Sequence, residues 1–229
     1  MNGRTLMAGT LSRVVACTGL LALPVWAWAA PAQPQDDLSF ERVFDDAGEP
    51  AWLHYEVRYE SGGKTHDLEV WREGQRRLRR RTDATIDTFV QRAERDGDFS
   101  MTVVDNGRRI STRIARANLY RLGNFTDWFD LAHGLKHPLA SYRLARIEAP
   151  TGAATPIAAC RWYSLEQSGR VTTICWSERD RLPLVIQGAD PSHRWRVTSL
   201  DRAPVAGRVF EVHDAGFVRN DANQDIERD

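Results

Sequence analysis

Short segments in which apolar and polar residues alternate constrain the fold of this chain more than any other feature. Every second residue of segment 51–60 is apolar, and segment 65–72 follows a Ser61-Gly62-Gly63 turn with Leu68 and Val70 on its apolar face. Strict alternation is typical of a strand that buries one face and exposes the other. The two segments therefore predict an antiparallel hairpin.

A second hairpin is predicted between segments 99–103 and 110–114. Asn106-Gly107 is the strongest short hairpin signal in the chain, because both central residues of a type I′ turn have positive φ. Folding the chain about these two residues gathers apolar residues on one face, whereas a one-residue slip would turn them to the other. The expected pairs are Val103 with Ile110, Met101 with Thr112, and Phe99 with Ile114.

Two short helices and further strands complete the predicted elements. Residues 40–44 carry apolar side chains at helical spacing behind Ser39, a residue suited to an N-cap. Segment 126–133 carries an aromatic stripe, has Asp127 and Asp130 in its first half and ends at Gly134. Strands without intervening helices indicate an antiparallel sheet in an α+β fold. The later strands are expected at 141–148, 158–165, 170–177, 182–187, 194–200 and 209–213.

The first 29 residues have the features of a secretory signal peptide. Arg4 and Arg13 precede an apolar run over residues 14–26, and Ala27 and Ala29 form an A-x-A cleavage pattern. The run is shorter than the roughly 20 residues that a membrane-spanning helix needs. We therefore expect a bacterial, Sec-type signal peptide cleaved near Ala29, a periplasmic location, and no transmembrane segment in the mature protein.

The mature chain is expected to form one domain. Segment 30–38 is rich in Pro and Gln and predicts a linker, residues 39–213 form the domain, and residues 214–229 form a polar, flexible tail. The chain has 31 basic and 31 acidic residues, so removal of Arg4 and Arg13 leaves a net charge near −2. A nucleic-acid-binding protein would show an uncompensated basic surface, so no nucleic-acid partner is expected.

A dense run of arginines interrupts the alternating pattern. Because side chains on a strand alternate between faces, this run cannot form one basic stripe, and it predicts a solvated edge strand that resists sheet-to-sheet aggregation. The alternative is contact with phosphate groups or an acidic protein partner, which guanidinium groups suit. The candidate partner-binding residues are Arg76, Arg77, Arg79, Arg80 and Arg81.

Cys160 and Cys175 are the cysteines that remain after removal of the signal peptide. They flank a predicted turn at Gln167-Ser168-Gly169, and a two-residue loop there places them directly opposite each other. Opposed strand residues have Cα atoms about 5.5 Å apart, which suits a disulfide, and the periplasm is oxidising. We expect a structural disulfide, because the spacing lacks the C-x-x-C pattern of redox-active pairs.

Neither metal nor catalytic motifs stand out. His133 and His137 are four residues apart, but Gly134 and Pro138 interrupt the helix that would place both on one face. The chain contains no G-x-S-x-G, H-E-x-x-H or phosphate-cradling glycine loop. We therefore expect no metal, no cofactor and no catalytic residues, and an enzyme of unrecognised type remains an alternative.

Three C-terminal segments stand out beside the order of the elements: DRLPLVI at 180–186, WRVT at 195–198 and VFEV at 209–212. Together they resemble the periplasmic lipoprotein-carrier (LolA/LolB/RseB-like) superfamily, which contains lipoprotein-sorting proteins and regulators of the RseB/MucB type. The resemblance implies a curved antiparallel sheet of about 9–11 strands, an open half-barrel, with two or three short helices covering its concave face. It also implies an apolar cavity that receives acyl chains.

The leading hypothesis is a non-enzymatic, monomeric periplasmic protein that binds an acyl lipid or a lipoprotein in this half-barrel. The alternative is an envelope stress-sensing or assembly protein that acts through a protein partner. The residues expected to line the cavity are apolar residues of the two hairpins and the second helix: Tyr55, Val57, Tyr59, Leu68, Val70, Met101, Val103, Trp128 and Phe129.

Overall fold

A computed structural model describes residues 38–93, 98–115, 118, 127–188 and 194–222. The predicted signal peptide and nearly all of the predicted linker lie outside these residues. Within them, two short α-helices and one 3₁₀ turn accompany twelve strands. The helices are α1 (Phe40–Val43) and α2 (Trp128–His133), the 3₁₀ turn is Gly207–Phe210, and the strands are β1 (Leu53–Ser61), β2 (Lys64–Glu73), β3 (Arg77–Thr82), β4 (Ile86–Arg92), β5 (Phe99–Asp105), β6 (Ile110–Ala115), β7 (Tyr142–Ile147), β8 (Arg161–Gln167), β9 (Arg170–Ser177), β10 (Leu182–Gly188), β11 (Arg194–Asp201) and β12 (Val218–Asp221).

All twelve strands belong to one open sheet, in the order β12-β6-β5-β4-β3-β2-β1-β11-β10-β9-β8-β7. Every neighbouring pair is antiparallel except β12 and β6, which are parallel. The sheet is therefore mixed and one strand larger than the expected 9–11. Among the described residues, no helix has the length and apolar character needed to cross a membrane.

The first hairpin matches the prediction. Val57 lies opposite Leu68 and Tyr55 opposite Val70, so the apolar residues of β1 and β2 share one face. The loop consists of Gly62 and Gly63, both with positive φ, which glycine adopts without steric cost.

The predicted register of the second hairpin is wrong by two residues. Asp105 pairs with Ile110 across a four-residue loop, so Met101 faces Ile114 and Val103 faces Thr112. The reason is local hydrogen bonding: the Asp105 carboxylate accepts from the Arg108 backbone N–H at 2.8 Å, and the positive φ falls on Arg109 instead of Asn106 or Gly107. A shift of two residues preserves the face of every side chain, so the apolar face remains as predicted.

The predicted strand at 209–213 is wrong, and the segment expected to be a flexible tail contains a strand. Residues 209–213 were expected to form a strand, but the chain forms the 3₁₀ turn there and packs against β3. The expected flexible tail instead supplies β12, which the Arg109 side chain holds by stacking on the Phe217 ring and donating to the Gly216 carbonyl. Residues 223–229 lie outside the described part of the chain.

The predicted disulfide between Cys160 and Cys175 is confirmed, with Cα atoms 5.4 Å apart. The predicted register of the β8–β9 hairpin, which carries the disulfide, is wrong by two residues. Its two-residue loop is Ser168-Gly169, so Trp162 and not Cys160 lies opposite Cys175. The bond is diagonal across the strand pair, and Cys160 lies just before β8. The disulfide thus ties the segment that leads into β8 to the buried strand β9.

Two apolar clusters fill the interior. The larger contains the apolar face of β1–β6 together with Trp128, Leu131 and Ala132 of α2. The smaller gathers α1 and Phe129 of α2 against strands β7–β9. Helix α2 therefore contributes to both clusters, and its two faces connect them.

Candidate functional site

Helix α2 lies against one face of the N-terminal strands, which we call the inner face; the opposite side of the same strands is the outer face. Local sequence forms the helix as predicted. The Asp127 side chain accepts from the Asp130 backbone N–H at 2.8 Å as an N-cap, and Gly134 ends the helix with φ of 65°.

Gly134 is required by packing as well as by its backbone conformation. A Cβ atom built at this position would lie 2.7 Å from the ring of Trp195 on β11. The Trp195 ring is held in turn by its Nε1–H, which donates to the Pro183 carbonyl at 3.0 Å. The end of α2 is thus fitted closely against strands β10 and β11.

The residues predicted to line a cavity divide between the two apolar clusters. Most of them are buried in the larger cluster, and Tyr59 and Val103 lie at its margin, whereas Phe129 belongs to the smaller cluster. In this arrangement the inner face contacts the α2 side chains directly. An acyl chain bound to this face would therefore take the place of α2.

Two polar side chains from the sheet hold the last turn of α2. A helix leaves the carbonyl groups of its last turn without partners inside the helix. The Tyr55 hydroxyl donates to the Ala132 carbonyl at 2.8 Å, and Arg80 Nη1 donates to the Leu131 carbonyl at 3.3 Å. Burial raises the pKa of Tyr55 to about 12 and lowers the pKa of Arg80.

A buried charged cluster, Glu49–Arg72–His133, fixes the end of the same helix. The Arg72 and His133 side chains are completely buried, and only 3% of the Glu49 side chain is exposed. His133 Nε2 lies 2.9 Å from Glu49 Oε1 and 3.0 Å from Arg72 Nη1. The cluster joins the loop after α1, strand β2 and helix α2 in one contact.

Hydrogen bonding and burial determine the state of the His133 ring. Nδ1 lies 2.9 Å from the Phe129 carbonyl, so we assign the proton to Nδ1, which donates there, and Nε2 then accepts from Arg72. Burial lowers the pKa of His133, and the neighbouring Glu49 carboxylate opposes this shift. The neutral ring therefore suits the Phe129 carbonyl and Arg72, whereas the Glu49 carboxylate, 2.9 Å from the unprotonated Nε2, is balanced by the Arg72 charge at 3.4 Å.

Asp180 extends the polar contacts toward the C-terminal strands. Arg72 Nη2 donates to the Asp180 carbonyl at 3.3 Å, and the buried Asp180 carboxylate accepts from Ser177 Oγ at 2.7 Å and from Arg202 at 2.6 Å. The Asp180 carboxylate thereby has partners on two sides, as a buried charge requires.

The arginine run does not form an edge strand, which corrects the sequence prediction. β3 lies between β2 and β4 near the middle of one half of the sheet. Arg79 and Arg81 point to the outer face, where both contact Asp87 and stack on the Trp71 ring. Arg80 points to the inner face and reaches α2. β3 pairs with its neighbours in the chain, β2 and β4, and the sequence prediction placed no strand at 86–92 that could cover the second edge of the arginine run.

The ends of the run also make contacts within the chain. Arg76 and Arg77 pair with Glu73, and the Arg77 guanidinium lies 4.6 Å from the centre of the Phe210 ring. Arg79 donates to the Val209 carbonyl at 3.1 Å. The arginines of the outer face therefore hold the 3₁₀ turn against β3.

Two surface depressions have volumes of about 590 and 330 Å³. Both are lined mainly by polar and charged groups. The smaller reaches Val57 and Leu68 beside Glu56, Glu69 and Arg81. Charged walls suit a polar ligand better than an acyl chain, so neither depression matches the expected apolar cavity.

One group of side chains in the described residues has the arrangement to hold a metal ion: Asp127, Asp130 and His137, beside the start of α2. His133 does not take part, since it contacts Glu49 and Arg72 instead. As expected, the helix ends at Gly134, before His137.

Sequence reasoning missed Glu49, Arg72 and His133 as a unit. A signal was present for Arg72, because the alternation that turns Leu68 and Val70 inward also turns Arg72 inward. A charged residue at an inward position needs a buried partner. Glu49 lies in a loop without periodicity, so only the folded structure identifies it as that partner.

No protein-family model matches the sequence, and no curated protein matches it. Among solved structures, the chain is similar to MucB at 16% sequence identity and a TM-score of 0.40, over 77% of this chain and 62% of that one. It is similar to PNGF-II in two crystal forms at 7% identity, with TM-scores of 0.40 and 0.37, over 78% and 74% of this chain and 33% and 30% of PNGF-II. The chain thus spans less than two thirds of each of these proteins. Such distant likenesses carry no weight for family or activity.

Proposed function

We propose that this protein is a non-enzymatic periplasmic protein that binds the acyl chain of a lipid or lipoprotein on the inner face of its sheet, with α2 as a displaceable cover. The observation that carries the proposal is the way α2 is held. A six-residue helix packs into the apolar cluster of a single open sheet, beside residues of β8–β11, and polar side chains of the sheet hold its last turn.

A helix this short has little stability of its own, since isolated helices of fewer than about 12 residues are marginal in water. Its position depends on the packing of its six buried residues and on the directional contacts of Tyr55, Arg80, Arg72 and Glu49. Displacing the helix uncovers the apolar side chains beneath it, and an acyl chain would replace the lost apolar contacts. The disulfide between Cys160 and Cys175 agrees with an oxidising compartment.

The alternative, an envelope protein that acts through a protein partner at the arginine run, has less support. The contacts of Arg77, Arg79 and Arg81 with Glu73, Asp87 and the 3₁₀ turn engage these side chains within the chain. A partner would have to displace those contacts before it could use the guanidinium groups.

Native mass spectrometry of protein purified from the periplasm without detergent tests the proposal. Acyl lipid that co-purifies in near-stoichiometric amount, or binds on incubation with lysophospholipid, supports acyl-chain binding. An unchanged apo mass after incubation with phospholipid and a diacylated lipopeptide contradicts it. A variant with Val103→Arg, which places a charge on the inner face of the sheet at the margin of the larger cluster, serves as the binding-deficient control once its folding has been checked by circular dichroism.

A further inference from the structure

The loop that follows α2 folds back to the start of the helix. The reversal at Gly134 brings His137 beside two carboxylates from the first turn. His137 Nδ1 lies 3.1 Å from Asp127 Oδ2 and 3.5 Å from Asp130 Oδ1. One potential ligand atom from each of the three residues lies within 4.8 Å of the others.

The His137 ring is held in place by aromatic neighbours. Its centre lies 5.0 Å from the Phe40 ring and 4.9 Å from the Phe129 ring. Nδ1 is shielded from solvent, yet it forms no hydrogen bond of acceptable angle with either nearby carboxylate. The nitrogen thus points toward the space between the carboxylates instead of along a line to one oxygen.

Both carboxylates also accept hydrogen bonds from backbone N–H groups, Asp127 Oδ1 from Asp130 and Asp130 Oδ1 from His137 at 3.3 Å. Asp127 uses Oδ1 to cap α2, whereas Oδ2 faces His137. The Asp130 side chain is only 6% exposed. The Asp127 side chain is 37% exposed, so the group can be reached from solvent. Two carboxylates this close repel each other, and a cation between them would relieve this repulsion.

We propose that Asp127, Asp130 and His137 form a binding site for a divalent transition-metal ion, with Zn²⁺ as the best match. Tetrahedral zinc with bonds of about 2.0–2.2 Å places its ligand atoms about 3.3 Å from one another, close to the spacing of His137 Nδ1 from the two carboxylates. One imidazole nitrogen with two carboxylates suits Zn²⁺ better than Ca²⁺ or Mg²⁺, which favour oxygen ligands alone. Three protein ligands leave a fourth position for water or another ligand.

The site lies at the start of the proposed cover helix but does not depend on acyl-chain binding. It predicts that metal and helix stability are linked, because the bound ion would tie the loop after α2 to its first turn. A protein that binds Zn²⁺ but no lipid would contradict only the proposed function, and a protein that binds lipid but no Zn²⁺ would contradict only the metal site.

Isothermal titration calorimetry with ZnCl₂ tests the site, on chelator-treated protein that carries no polyhistidine tag. We expect one Zn²⁺ per chain and proton release that grows as the pH falls, since Zn²⁺ displaces protons from its ligands. His137→Gln removes the nitrogen ligand. Asp127→Asn removes one carboxylate charge but keeps an oxygen that caps the helix.

His66→Gln is the matched control, because His66 Nδ1 also lies near a carboxylate, 2.7 Å from Asp83 Oδ2, but near only one. The proposal predicts that zinc affinity falls by at least about tenfold in the His137 and Asp127 variants and is unchanged in the His66 variant. Absence of saturable binding in the wild type, or equal affinity in all four proteins, would overturn it. Co²⁺ absorption provides a second readout: visible bands expected for the wild type should be lost in the His137 variant, and their persistence would count against the site.

Discussion

The inner and outer faces of strands β2 and β3 use the same residue types for different purposes. On the inner face, Arg72 and Arg80 hold α2 through charges that are buried or desolvated. On the outer face, Arg79 and Arg81 share Asp87 and stack on Trp71 at partial exposure. An unpaired charge costs far more in a buried position than at the surface. The two faces should therefore respond very differently to similar substitutions.

The largest expected effect is that of Arg72→Met. The substitution leaves the Glu49 carboxylate buried without a cation, and breaking such a pair destabilises a protein by about 3–5 kcal/mol. The free energy of unfolding from urea denaturation measures this loss. Arg58→Met is the control on the neighbouring strand, because Arg58 and Asp67 form an exposed pair. Equal losses in both variants would contradict the distinction between the two kinds of site.

Tyr55→Phe is expected to destabilise the protein by about 1–2 kcal/mol, because it leaves the Ala132 carbonyl without its donor. The apolar ring remains, so the inner face keeps its packing. Hydrogen exchange should accelerate in residues 127–134 more than in β10 or β11. Uniform acceleration across the sheet would show that the hydroxyl does not act on α2 specifically.

Arg79→Met tests the outer face and is expected to cost about 1 kcal/mol, the net contribution of a hydrogen bond that it loses. The Asp87 carboxylate keeps Arg81 and the Asn106 side chain as partners, so it does not become an unpaired charge. Urea denaturation under the same conditions as for Arg72→Met gives the comparison. A loss as large as that of Arg72→Met would show that the two faces do not differ.

The smallest effect is a change in pH dependence. The pKa of His133 is lower in the folded protein than its ordinary value of 6.5, so the unfolded chain binds more protons and stability falls as pH decreases below that value. His133→Gln should therefore reduce the loss in melting temperature between pH 7.5 and 5.5. His213→Gln, at an exposed position, is the control. If both variants retain the wild-type dependence, His133 does not contribute.

Much of the fold follows from local sequence. The β1–β2 hairpin and α2 were predicted because their determinants lie within a few residues: two glycines at positive φ, an aspartate cap and a terminating glycine. The β5–β6 register was not predicted correctly. The Asp105 carboxylate accepts from the Arg108 backbone N–H, and this hydrogen bond competes with the type I′ turn. That competition is decided by small energy differences that the Asn106-Gly107 pair does not reveal.

The candidate site was only partly predictable. Alternation correctly places Val70 and Leu68 on the inner face, and it also places Arg72 and Arg80 there. It cannot show that Glu49 and the end of α2 meet these arginines, since those contacts join segments that are distant in sequence. The Asp127–Asp130–His137 group was missed because a regular helix was the only geometry considered for its histidine, whereas the reversal at Gly134 creates the contact.

Hydrogen–deuterium exchange, measured by mass spectrometry with and without a palmitoyl lysophospholipid, tests most directly whether α2 is a displaceable cover. The account predicts that residues 127–137 exchange faster than the central strands β1, β2 and β3 in the free protein. It further predicts that lysophospholipid changes the exchange of this segment while leaving those strands unchanged. Protection of α2 equal to that of the central strands, with no response to the lipid, would contradict the proposed function.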